Sequence, residues 1–494
     1  MQALIRIHPN DNAAVAVRAF QKGEIDDPLK ITAVQDIPAG HKIALTTITP
    51  GQPIIKYGVP VGAATELIPA GSHVHTHNMK TMLTGDSVYH CPESFPQYRI
   101  TGEVPEISAY RRNDGNIGIR NEMWIIPTVG CVNHLAQTLA TWGQEHLPGD
   151  GVFAWTHPYG CSQMGEDHAA TATLLGDLVK HPNAGGILVL SLGCENNSPE
   201  YFKKVLGPYA EDSSRIAFLT AQDSEDEVAD GKRLLMQLER NVQRAVRQKV
   251  PASELIIGMK CGGSDGFSGI TANPLIGRIS DLFTGCGASV LLTEVPEIFG
   301  AEQILLNRCE NRPVFDKTVE CIEDFKNYYR NHHQVVYENP SPGNKAGGIT
   351  TLEEKSCGCV QKGGSAIIRG VYRYGERVQP EDKRGLLLLE GPGNDLVSTT
   401  ALTAAGAHLI LFSTGRGTPL GAPVPTIKIA TNSALAQKKT KWIDFDAGRL
   451  LNEKPESVTA DLFAYIMEVV AGNQTKNEKN GYREIAVFKN GVTL

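Results

Sequence analysis

No apolar stretch of this sequence approaches the roughly 20 residues that a membrane-spanning helix needs, so none is expected. The N-terminus, MQALIRIHPNDNAAVAV, lacks a basic segment leading into an uninterrupted apolar run, and it lacks a small-residue cleavage site. A secretory signal is therefore not expected, and the cytoplasm is. Neither sign of charge forms a long block: 47 basic and 54 acidic residues leave a net charge of -7. That excludes nucleic acid and an anionic membrane surface as principal partners. Ten cysteines in 494 residues are too sparse to staple a fold, and in a reducing cytosol they are expected as free thiols or ligands. No short-period repeat or low-complexity tract occurs, so solenoids and propellers are excluded.

What is present divides the chain. Residues 1–85 hold short β-branched runs such as KIALTTI, QPIIKYGVPVG and SHVHTHN between turn signals, the pattern of a small all-β domain. Residues 86–110 are proline-rich and aperiodic, and are expected to be a linker without a buried element. From 111 on, apolar runs (VFAWT, GGILVLSLGC, LIIGMKCGG, SVLLTEV, LLLLEGPG, HLILFSTGRG) alternate with amphipathic stretches. Such alternation implies mainly parallel sheets covered by helices, that is, an α/β multidomain protein. A second α/β domain is expected over 111–250 and a C-terminal one over 251–494. The Gly/Pro-rich segment from Asn339 to Ser356 reads as a surface loop.

Several residues could carry chemistry. His73, His75 and His77 alternate, so in a strand their imidazoles share one face, a ligand-like spacing for iron, manganese or zinc, with Asn78 as a supporting partner. The bland alternative is the polar face of an edge strand. Lys42 and Lys56 lie in apolar settings, where a lysine can lose its proton and act as a base; the alternative is an ammonium snorkelling to the surface. Apolar runs repeatedly end in Gly and Cys, at Cys131, Cys161, Cys194 and Cys261, where open parallel sheets bind ligands. The repetition suggests one shared site, in which Asn196, Asn197, Ser264 and Asp265 would bind hydroxyl and carboxylate groups. Arg416, in FSTGRGTP, is a candidate carboxylate clamp. GPGNDLVSTT reads as a turn opening a helix, with Asn394 or Asp395 near its start. The SCGC motif, with Cys357 and Cys359, could join other thiols in an iron–sulfur cluster or could be an inert hairpin tip.

Taken together, IHPNDNAAVA, GHKIAL, KYGVPVG, HVHTHN, GNIGIRNE, LGCENN, KCGGSDGFSGITANPLIG, SCGC and LFSTGRGTP resemble the altronate/galactarate dehydratase family. The resemblance runs from the first strand to about residue 435 and implies an N-terminal domain of the SAF (β-clip) type. It implies a hydro-lyase that removes water from a sugar acid, with D-altronate the expected substrate and 2-dehydro-3-deoxy-D-gluconate the product. Fe2+, replaceable by Mn2+, is the implied metal, in preference to an iron–sulfur cluster, with His73, His75 and His77 as its candidate ligands. Lys42, Lys56 and Lys260 are then candidate bases, and His41 or His75 a candidate acid. The expected partner is a small sugar acid, with a homo-oligomer left open. A galactarate dehydratase or sulfo-lyase of the same family, or a non-catalytic sugar-acid-binding protein, are the alternatives.

Overall fold

The computed structural model describes residues 3–85, 87–212, 214–337, 339–379 and 384–491. Its N-terminal portion is built from short antiparallel strands. Leu4–Ile5, Ala13–Ala16, Lys42–Ala44 and His73–Val74 form one sheet in that order, and Pro53–Lys56, Val59–Ala64 and Met79–Lys80 form a second. The strands are short because a turn glycine at positive φ, such as Gly40, Gly51 or Gly71, interrupts the chain every few residues.

The segment expected as a linker contains a strand. In Glu106–Arg111 exposed and covered side chains alternate, with Ile107 and Ala109 buried, and it pairs antiparallel with Arg247–Pro251 and Ile117–Gly118. This three-stranded neck ties the start of the second unit to its end.

The second unit is a parallel sheet in the order Val152–Ala154, Glu122–Pro127, Ala184–Ser191, Ile216–Thr220. Helices Asn133–His146 and Glu227–Val242 cover one face, where Leu139, Leu188 and Leu235 pack. The other face packs Leu174, Leu178 and Ile187 against Leu402 and Phe412 of the C-terminal unit, so the two α/β units share one core. The C-terminal segment reinforces the join: Arg483 pairs with buried Glu122 at 2.9 Å, and the Asn490 and Gly491 amides donate to Asp167.

The C-terminal unit carries seven parallel strands in the order Ile368–Tyr372, Gly385–Leu389, Ser289–Leu292, Ile256–Cys261, Leu409–Thr414, Thr426–Ala430, Phe445–Asp446. The middle five are buried throughout, which is why they read as unbroken apolar runs; each enclosed leucine contributes about 1.5–3 kcal/mol. From Ile256–Cys261 the chain first builds outward through Ser289–Leu292, then crosses to Leu409–Thr414 on the other side. The carboxyl ends of those strands thus border a point where the winding reverses, the usual place for a ligand crevice.

The segment 339–356 lies at the surface only in its first half, where Ser341, Pro342, Gly343 and Ala346 are exposed. It holds helix Pro342–Ala346 and enters helix Leu352–Cys359, every residue of which is buried. The apolar strand ends and the N-terminal domain close over this chain from both sides. SCGC accordingly lies on a buried helix and not on a hairpin tip.

Candidate active site

At that reversal point lies a cleft of about 810 Å³, within the range of small-molecule sites, about 300–1,000 Å³. Loops after four strands line it: Cys261 to Gly263, Pro296 and Glu297, Pro392 to Leu396, and Thr418 to Leu420, with Ser341, Asn344, Lys355 and Glu484 completing the wall. Asn394 caps helix Asp395–Ala404, its Oδ1 accepting from the Val397 amide, as the sequence suggested.

Buried ion pairs underlie the cleft. The Lys260 ammonium contacts Glu294 and lies 2.9 Å from Asp395; Lys362 contacts Glu294 at 2.8 Å and Lys355 contacts Glu297 at 2.6 Å. Glu294 holds this arrangement from a left-handed backbone conformation, φ 67°, rare for a residue with a side chain. Burial alone would push Lys260 toward neutrality, but Glu294, Asp395 and Glu297 outweigh it and hold it charged. These surroundings favour the ammonium form of Lys260 over the free base.

Lys428 is different. Neighbouring strands align Lys260, Phe412 and Lys428, and the Lys428 amine sits 3.4 Å from the Phe412 ring centre with no hydrogen-bond acceptor among the described residues. Burial lowers it to about 7 despite the opposing fields of Asp395 and Asp444. Its sequence setting, PTIKIATN, is the apolar context that drew attention to Lys42 and Lys56. The sequence carries the same signal at Lys428, and VLLTEVPE, around an apolar strand end, brings Glu294 and Glu297 to the site.

The N-terminal domain docks beside the cleft through a second buried network. Lys42 donates to Glu354 and Thr350 at 2.7 Å and to the Gly348 carbonyl at 3.0 Å; Lys56 reaches the other Glu354 oxygen at 2.9 Å. Burial raises the Glu354 carboxyl, yet the two ammonium groups outweigh it and bring it down to about 2. Burial likewise opposes charge on Lys56, but Glu354 prevails and keeps it an ammonium, whereas Lys42 is lowered to about 8. The ion pair with Glu354 thus favours the ammonium form of Lys56. Neither lysine snorkels to the surface.

The histidines gather differently from the expected strand face. The ladder sets Ile43 opposite His73 and Lys42 opposite Val74, and the residues just beyond it, His41 and His75, have ring centres 4.9 Å apart. The rings of His41, His73 and His75 thereby gather, with centres 4.9–5.4 Å apart. Their ligand nitrogens all lie within 4.8 Å of one another, with His41 Nδ1 and His73 Nε2 2.9 Å apart. The chain leaves the strand after Val74 for a turn, pinned by Asn78 to the His75 amide and the His73 carbonyl. His77 is carried to an exposed position outside the trio, its ring 5.4 Å from that of His73. His41, expected as an acid, joins His73 and His75 in this group, whereas His77 lies beyond it. Burial and the neighbouring positive groups lower His73 to about 3 and His75 to about 4. Neutral imidazoles in such a group suit a divalent transition metal. The loop from Asn344 to Thr350 joins this trio to the cleft: Asn344 lines the cleft, Ala346 contacts His41 and Thr350 contacts His75.

The cysteine loops form two groups and not one shared site. Cys131, Cys161 and Cys194 lie on second-unit loops that bind each other: Gly130 N–H donates to Tyr159, Asn197 N–H to Gly160, Asn197 Nδ2 to Thr128, and Ser162 N–H to Asn196. Asn196 Oδ1 and Asn197 Nδ2 take part in this bracing, and neither residue lines the cleft. Cys261 instead meets Cys359, sulfur to sulfur at 3.3 Å. Asp265 accepts from Thr431, Asn432, Ser268 and the Phe267 amide, a loop brace. Ser264 and Asp265 border a small void of about 10 Å³ under the cleft wall. Arg416 is exposed, its stem beside Gly263 at the rim.

Three family models together cover most of the chain: "Altronate/galactarate dehydratase SAF domain" over residues 2–82, "D-galactarate dehydratase/Altronate hydrolase, second domain" over 109–243, and "D-galactarate/Altronate dehydratase, C-terminal" over 252–493. The chain is 49% identical to an altronate dehydratase of Escherichia coli (strain K12), with 99% of both chains aligned. It belongs to the altronate/galactarate dehydratase family. A second family member, an altronate dehydratase of Bacillus subtilis (strain 168), is 47% identical over the full length of both chains, and a galactarate dehydratase (L-threo-forming) of Escherichia coli (strain K12) is 34% identical over 98% of this chain and 96% of its own. Family membership and the SAF-type N-terminal domain agree with the resemblance noted in the sequence. Among the described residues, no helix is long and apolar enough to cross a membrane.

Proposed function

We propose that this chain is a metal-dependent hydro-lyase of the cytoplasm that converts D-altronate to 2-dehydro-3-deoxy-D-gluconate and water, using Fe2+ with Mn2+ as a substitute. The observation that carries the reading is full-length identity of nearly one half to two proteins named altronate dehydratase, against 34% to the galactarate enzyme. The cleft supports it: its amides, hydroxyls and one ammonium match the oxygens of a polyhydroxy acid.

Dehydration takes the proton from C2 and the hydroxyl from C3; the resulting enol then tautomerises to the 2-keto acid. Lys355 is the cationic group of the cleft wall and would hold the carboxylate, with Asn344, Asn394 and Ser341 positioning hydroxyls. Asp395, about one-third exposed and ion-paired to Lys260, would take the C2 proton. Lys428, whose amine burial lowers to about 7 within the field of Asp395, would take up that proton between steps. His41, His73 and His75 would hold the metal, which as a Lewis acid supplies polarisation of a substrate oxygen.

The test is 2-keto acid formation from D-altronate, galactarate and D-mannonate, each with Fe2+, with Mn2+ and without metal. Turnover of D-altronate at least tenfold above the others, dependent on metal, is expected. Preference for galactarate, or no product from any acid with fresh iron, would overturn the assignment.

A further inference from the structure

A second group of metal-type ligands lies apart from the imidazoles, in the wall of the cleft. Cys261 ends the central strand Ile256–Cys261, Cys359 ends the buried helix Leu352–Cys359, and Glu297 follows strand Ser289–Leu292. The two sulfurs are 3.3 Å apart, and each is 3.1 Å from the same carboxylate oxygen, Glu297 Oε2. Lys355 takes the other oxygen, Oε1, at 2.6 Å and so turns Oε2 toward the sulfurs. The three atoms form a compact triangle drawn from three elements, and Cys261 and Glu297 border the cleft.

We propose that Cys261, Cys359 and Glu297 bind a thiophilic divalent ion, of the class of Zn2+ or Fe2+, with a coordination position open to the cleft. The donor set of two sulfurs and one carboxylate suits such ions and leaves a fourth position free, the pattern of catalytic and not closed structural sites. Charge supports it. Around the triangle the ammonium groups of Lys260, Lys355 and Lys362 meet the carboxylates of Glu294, Glu297 and Asp395, three against three. Entry of a divalent ion with release of the two thiol protons leaves that sum unchanged, so the buried site accepts the ion without an uncompensated charge. Sulfurs bound tetrahedrally at about 2.3 Å lie about 3.8 Å apart, so the pair needs to spread by only about half an ångström.

The inference does not depend on which sugar acid is the substrate. Full-length protein, reduced and stripped of metal, is titrated with Co2+, whose thiolate complexes show sulfur-to-metal charge-transfer absorption. The expected result is that band in the wild type, its loss in Cys261→Ser and in Cys359→Ser, and its persistence in His73→Ala and His75→Ala. Glu297→Gln should weaken the binding that produces the band by on the order of tenfold. X-ray absorption on Zn2+-loaded wild-type protein gives a check free of variants that fail to fold: two sulfur neighbours at about 2.3 Å are expected. Co2+ binding without the band, a band that survives removal of both thiols, or a zinc shell without sulfur would overturn the site and leave a hydrogen-bonded thiol pair only.

Discussion

Glu354→Gln tests the docking of the N-terminal domain. Lys42 and Lys56 are 0% and 2% exposed, and both end on one carboxylate that is itself 1% exposed. The amide retains the shape but leaves two buried ammonium groups without a counterion, a change that costs about 3–5 kcal/mol when one partner of a buried pair is lost. The carboxyl's fall from 4.5 to about 2 gives an independent figure of about 3 kcal/mol. Part of the attraction only offsets burial, since Lys42 remains lowered to about 8 even with Glu354 beside it. A carboxyl held low in the folded state adds stability that is fully present above about pH 4.5 and is lost as pH falls toward 2. Urea unfolding of wild type and variant across that range should show a difference of about 3 kcal/mol at neutral pH that closes in acid. Replacing the whole network, as Lys42→Met/Lys56→Met/Glu354→Leu, should recover most of the loss, because an apolar substitute leaves no charge unpaired. A loss under about 1 kcal/mol at neutral pH, or one that does not change with pH, would refute the reasoning.

The α/β layers were legible because buried parallel strands write themselves as apolar runs: GGILVLS and GLLLL are strands, and the helices between them keep their amphipathic spacing. The neck strand Glu106–Arg111 was hidden by the prolines before it, although its alternating pattern was present. The histidine trio was half legible. Spacing singled out His73, His75 and His77, but only the pairing of Lys42–Ala44 with His73–Val74 selects His41 and only the turn at Asn78 removes His77. The role of segment 339–356 was illegible for a different reason. Its glycines and prolines mark loops, and nothing local announces that two domains close over Leu352–Cys359, placing Glu354 toward one and Lys355 toward the other.

Two further outcomes follow from close contacts and from the orphaned amine. A Cβ at Gly266 would run into the Gly40 carbonyl oxygen across the domain contact; Gly266→Ala should therefore cost about 1–3 kcal/mol or more, and limited proteolysis should show faster release of the N-terminal domain, an unchanged digestion rate counting against the contact. Lys428→Met replaces an unpaired buried amine with an apolar chain of similar length, so thermal unfolding should show a gain of about 1–3 kcal/mol. The same variant should turn over more slowly and lose the limb of the pH–rate profile near 7; an unaltered profile would remove Lys428 from the proton path.

The central claim is the removal of water from D-altronate by loss of the C2 proton. Its most direct measurement is the reaction of D-altronate with the iron-loaded protein in D2O, followed by proton NMR. Tautomerisation of the enol on the protein predicts 2-dehydro-3-deoxy-D-gluconate carrying one solvent deuteron at C3. Absence of that product, or formation of it without deuterium at C3, would contradict the account.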